Sequence, residues 1–169
     1  ETTMADSPSS PSVPLLDLGE RVLPHNPEAE VAVLGSVFLD PTNALEVAMS
    51  KLNFEASFYR PAHQEIFNQL IQVASEETSR AIDVIHFADV LERKGTLDQV
   101  GGRAYLSQLM NSVPTAANVE LYVNIVQQNA ILRRLIGTCV RTIDKCYNAA
   151  DNVHDLLDGI ETEVLNVTG

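Results

Sequence analysis

From residue 117 to residue 150 the chain has no proline, and only Gly137 interrupts it. Along this stretch Ile125, Asn129, Leu132, Ile136, Cys139, Ile143, Cys146 and Ala150 recur at spacings that alternate four and three. That alternation is a heptad seam, the signature of a helix whose apolar stripe lies along another helix. A continuous helix over this stretch would run ~50 Å at 1.5 Å per residue. Asp151-Asn152 breaks the pattern, and Val153, Leu156 or Leu157, Ile160, Val164 and Val167 carry it on. Two amphipathic helices joined by a tight turn make a helical hairpin. One hairpin has too little surface of its own to cover both stripes, so the reading is that a second copy or another protein packs on it. The alternative is that the hairpin folds back as part of an ordinary core.

The residues before the hairpin read as short helices, each with its own start signal. Asn26 is an N-cap, Pro27 suits the first helical position, and Glu28 and Glu30 sit where the helix dipole favours negative charge. Ala29, Val33, Leu34 and Val37 then repeat at helical spacing. Asp40-Pro41 opens a second helix over 42–51, and Pro61 a third over 61–75 that buries Ile66, Phe67, Leu70 and Ile71. Asp83 caps a fourth over 84–94, which Gly95 ends. Gly101-Gly102 turns the chain into a helix through Tyr105, Leu106, Leu109 and Met110, closed by Pro114. Gly35 would allow a close helix approach. No segment alternates with period two between hairpin turns. The fold expected is all-α, with a small globule of five to six short helices over 24–115 and a long hairpin over 116–169. The Pro/Ser-rich residues 1–23 read as a flexible tail.

Chemistry is sparse. A phosphate loop needs a lysine after glycine, and none of Lys51, Lys94 and Lys145 follows one. Asp83/His86 and Asp151/His154 have metal-binding spacing, but each aspartate is better explained as a helix cap. His25 belongs to a helix start, and His63 to packing or capping in a first turn. Cys139 and Cys146 lie roughly 10 Å apart along one helical face, too far for a mutual disulfide. No catalytic, cofactor-binding or metal residue is assigned. The formal net charge of −12 opposes tight binding to phosphate backbones. No apolar run reaches the ~20 residues of a membrane helix. Arg133, Arg134 and Arg141 form a small basic stripe, read either as a solvated face or as a contact for an acidic partner.

As a set, PHNPEAEVAVLGSVFLD (24–40), FYRPAHQEIF (58–67), AIDVIHFADVLERKG (81–95), LDQVGGRAYL (97–106) and TAANVELYVNIVQ (115–127) resemble the N-terminal domain of bacterial replicative helicases of the DnaB family. The resemblance implies a helical globule with a hairpin that pairs head to head, three such dimers forming a collar above six motor domains. It implies partners: further copies of the chain, the helicase-binding domain of primase, and the helicase loader. ATP, magnesium and DNA would be handled by the motor domain, which these residues do not include, in the bacterial cytosol at the replication fork. The fragment itself would not be an enzyme. By position, Ile125, Leu132, Ile136, Val140, Leu156 and Ile160 would bury on dimerisation, and Tyr122, Arg133 and Arg134 would face primase. The competing readings are a metal-dependent helical enzyme, which metal analysis and an ATPase assay would separate from the collar, and a free-standing helical adaptor, which would gain if the parent reading frame did not continue into a motor.

Overall fold

The computed structural model describes residues 21–53, 56–76, 81–148 and 152–168. The tail assignment for 1–20, Ala150 of the seam and Asp151 lie outside them. Among the described residues the chain forms seven α-helices and a terminal 3₁₀ turn, with no strand.

The start signals act as the sequence implies. Asn26 Oδ1 accepts the N–H of Ala29 at 2.9 Å and opens α1, Pro27–Leu39. Asp40 Oδ1 accepts the N–H of Asn43 at 3.2 Å and opens α2, Pro41–Lys51. Pro61 opens α3, Pro61–Glu76. Asp83 Oδ1 accepts the N–H of Ile85 at 3.0 Å and opens α4, Val84–Lys94, which Gly95 ends with φ 76°. Gly101 and Gly102, at φ 108° and 77°, turn into α5, Gly102–Met110.

Nearly every residue of α1 from Ala29 to Phe38 is buried. A helix that is apolar all round belongs inside a core, and α1 packs against α2, α3, α5 and α6 (Val119–Tyr147). Phe38 meets Phe87 of α4 edge to face at 5.2 Å, fixing the fourth helix to the first. The approach of α1 to the end of α5 is close. A Cβ on Gly35 would lie 2.3 Å from Ser112 Oγ and 2.6 Å from the Leu109 carbonyl. Ser112 Oγ can rotate, but the backbone carbonyl cannot yield without moving α5. Gly35→Ala is therefore expected to destabilise the domain by about 1–3 kcal/mol through overpacking, despite the ~1 kcal/mol that alanine gains in helix propensity. Thermal unfolding of the variant checks this; an unchanged or raised Tm would refute the close approach.

The first half of α6 belongs to the same core. Val119, Val123 and Val126 are members of it, and Ala130 is buried just beyond. Lys51 of α2 secures this half by donating to Asn124 Oδ1 at 2.7 Å and to Glu120 Oε1 at 3.3 Å. Beyond Arg133, which still bonds to the globule, the helix runs out to Tyr147, 84% exposed. Its 29 residues span ~43 Å at 1.5 Å each. Asn152 Oδ1 accepts the N–H of His154 at 3.0 Å and opens α7, Val153–Leu165. That helix returns along α6 to the turn Asn166–Thr168, where Val167 is buried.

Candidate protein-interaction surface

With 3.6 residues per turn, α6 has two apolar stripes on roughly opposite sides. Val119, Val123, Val126 and Ala130 form one, and it faces the globule. Toward the C-terminus the same side continues through Arg133, Arg134, Gly137 and Arg141. From there Arg134 Nη2 donates to the Asn166 carbonyl at 2.8 Å, and Lys145, on the same flank, pairs with Glu163. Both α7 and the globule therefore lie on this side. The heptad seam is the other stripe. Leu132 is 47% exposed, Ile143, Cys139 and Cys146 are also exposed, and Ile136 and Asn129 are half-buried. Leu135, Val140 and Tyr147 widen the exposed band. The cysteines are thus not packed as small core hydrophobes in the single chain, because the seam that carries them faces outward.

On α7, Leu156 and Ile160 share the inner side with Glu163 and Val167 by helical spacing, and both are half-buried. Val153, Leu157 and Val164 are exposed beside them. Of the other positions singled out in the sequence, Tyr122 and Ile125 are partly buried against the globular core. Leu132 and Val140 are brought onto one exposed face of α6, with the half-buried Ile136 between them by helical spacing.

Arg133 has a different environment. Its guanidinium donates to the carbonyls of Pro24 (2.8 Å), Ala56 (3.0 Å) and Ser57 (2.8 Å). It also lies 5.6 Å above the Tyr59 ring, whose neighbour in a stack is His25 at 4.1 Å. Burial pulls its pKa down from the usual arginine range, opposed by the nearby Glu30. Ala56 has φ 59°, a left-handed conformation that costs a non-glycine residue about 1–2 kcal/mol. The arginine holds that residue's carbonyl. Arg133 thus ties α6 to the segment before α1 and to the turn before α3.

A buried polar chain lies beneath this latch. Glu30 is 2% exposed and His63 is fully buried. Glu30 Oε1 accepts the N–H of Tyr59 at 2.5 Å, and Glu30 Oε2 lies 2.5 Å from His63 Nδ1. His63 Nε2 is 2.6 Å from the Tyr105 hydroxyl. Burial raises the Tyr105 pKa, opposed by Arg60. Each member has partners, so the chain joins α1, α3 and α5 as a structural strut. Sequence reasoning placed Glu30 at the helix dipole and His63 in packing; it did not pair them. At the far end, the hydrogen bond from Lys145 lowers the Glu163 pKa, with Arg141 adding to it against desolvation.

Among the described residues no three His, Cys, Asp or Glu side chains gather as a metal site, and no helix is long and apolar enough to cross a membrane.

Comparison with known proteins agrees with this architecture. Residues 22–128 match the family model of the DnaB-like helicase N terminal domain. The crystal structure of the N-terminal domain of DnaB helicase from Mycobacterium tuberculosis is similar, with a TM-score of 0.76 and 33% identity, over 86% of this chain and 99% of that one. The replicative DNA helicase DnaB of Geobacillus stearothermophilus is 40% identical over 149 residues, 88% of this chain and 32% of that protein. The replicative DNA helicase DnaC of Bacillus subtilis is 40% identical over 150 residues, 89% of this chain and 32% of that protein. The chain thus spans about a third of the length of these curated relatives. On the family match, the shared helical fold and the matching solved domain, the chain belongs to the DnaB-like helicase N-terminal domain family.

Proposed function

We propose that this domain is the collar of a replicative helicase, assembling copies of itself through the outward face of α6 and α7 and offering the assembly to primase and to a loader. The observation that supports this is the second stripe of α6, carrying Leu132, Val140 and Ile143 on the side away from both the globule and α7. A monomer gains nothing by aligning apolar residues in water over about three turns; a partner helix does. Dimers formed there, and three dimers in a ring, would place six motor domains below the collar. ATP hydrolysis, magnesium and DNA translocation would belong to those motors, at the fork in the cytosol. Primase would meet the domain away from that stripe, with Tyr122 and, on the inner side of α6, Arg134 as contacts. Arg133 serves the chain's own fold in this scheme, because three carbonyls occupy its guanidinium.

Leu132→Asp tests the reading. Losing one buried leucine costs about 1.5–3 kcal/mol per copy, and 1.4 kcal/mol is tenfold in Kd. The expected result is self-association at least tenfold weaker by sedimentation equilibrium, with helicity unchanged by circular dichroism. Equal masses for the variant and the parent across concentration would overturn it.

A further inference from the structure

On the inner side of α6, opposite the outward stripe, a groove of about 670 Å³ opens between that helix, the turn before α3 and the 3₁₀ turn at Val167. A cavity of this size falls in the range that holds a ligand or a few side chains. Its apolar lining includes the exposed Leu23 and Ala56 as well as the buried Phe58, Ala130 and Val167. Arg133, Arg134 and Arg141 also line it. The one carboxylate in the lining, Glu163, is paired with Lys145 and also lies 3.9 Å from Arg141 Nε. A chain of net charge −12 thus gathers positive charge at one apolar groove. The arginines are also held in place, Arg133 by three carbonyls, Arg134 by the Asn166 carbonyl and Arg141 by Thr138 Oγ1 at 3.0 Å. Side chains already ordered lose little entropy when a ligand arrives.

We infer that this groove is a docking site for an acidic, leucine-bearing segment of a partner protein. Its carboxylates pair with the guanidinium groups of Arg134 and Arg141, whose planar forks suit them, and a leucine packs on Leu23 and Ala56, both exposed in the lining. A nucleic-acid strand fits less well. Its affinity grows with the number of phosphates neutralised, and three arginines on a strongly acidic chain neutralise few. The site stands apart from the self-association surface, so either can fail alone.

The test uses the full chain and a fluorescein-labelled peptide alternating Leu and Asp, its Leu/Asn counterpart, and a single-stranded oligothymidylate, followed by anisotropy. The expected result is that the Leu/Asp peptide binds at least tenfold more tightly than Leu/Asn at low salt, with the gap narrowing as salt rises. Arg141, whose side chain is 61% exposed, can be reversed with little risk to the fold. Arg141→Glu is expected to weaken the acidic peptide at least tenfold while lowering Tm by no more than a few degrees, since it also sets a carboxylate beside Glu163, whereas Leu132→Asp leaves its binding intact. Equal binding of the two peptides, no effect of Arg141→Glu, or tighter binding of the oligonucleotide would each overturn the inference. So would a tenfold gain in peptide affinity on Asp17→Asn with Glu20→Gln, since that would make the chain's own acidic segment the occupant.

Discussion

Glu30→Ala is expected to lower the unfolding free energy by about 3–5 kcal/mol, the cost of removing one member of a buried hydrogen-bonded pair. Two groups lose their acceptor at once, the Tyr59 N–H and His63 Nδ1. Each is left in the interior, where an unsatisfied polar group costs about 1–3 kcal/mol. Water cannot reach His63, which is fully buried, so little of that cost is recovered. Domains of this kind are stable by only about 5–15 kcal/mol in total, and the variant should unfold at much lower urea. Glu30→Gln separates hydrogen bonding from charge. It has the same shape, keeps a carbonyl for Tyr59, and can present its NH₂ to the imidazole, so it should lose less than half as much. If urea titration finds Glu30→Ala within 1 kcal/mol of the parent, on the order of an ordinary surface change, the strut does not carry the globule.

Arg133→Ala is expected to cost about 2–3 kcal/mol, in line with the loss of hydrogen bonds made by a charged group. Three carbonyls lose their donor, the cation over Tyr59 disappears, and the left-handed Ala56 loses its restraint. Arg133→Lys should recover only part, since one ammonium cannot reproduce the fork that spans Pro24, Ala56 and Ser57. The location of the loss distinguishes this variant from the first. Hydrogen exchange should quicken at residues 56–60 and in α6 beyond Ala130, while α1 and α3 keep their protection. Uniform quickening across the domain would show that Arg133 acts on the whole core and not on this junction.

Much of the architecture was legible because helix ends have local chemistry. Asn26, Asp40, Asp83 and Gly95 each needed only neighbouring backbone groups to do their work, and each does it. Gly35 was legible for the same reason, as a missing side chain where two helices cross. The strut was not. Glu30 and His63 lie 33 residues apart, and each had a satisfactory local explanation that concealed the pairing. Arg133 was read as a surface contact because its partners are backbone carbonyls, which leave no mark in a sequence. The α6 stripes show a third limit. The heptad seam from Ile125 onward was visible, but which flank of the helix would meet the globule depended on Val119, Val123 and Val126, a shorter run that the seam overshadowed.

The continuity of α6 has a mechanical result. One end of the rod is clamped in the core and the other carries Tyr147 into solvent. The span from Arg133 to Tyr147 is ~21 Å at 1.5 Å per residue. Each degree of tilt at the clamp therefore swings the tip by about 0.4 Å on that same geometry. A slight change at the junction of Pro24, Ala56 and Ser57 is magnified into a displacement large enough to misalign whatever grips the far end.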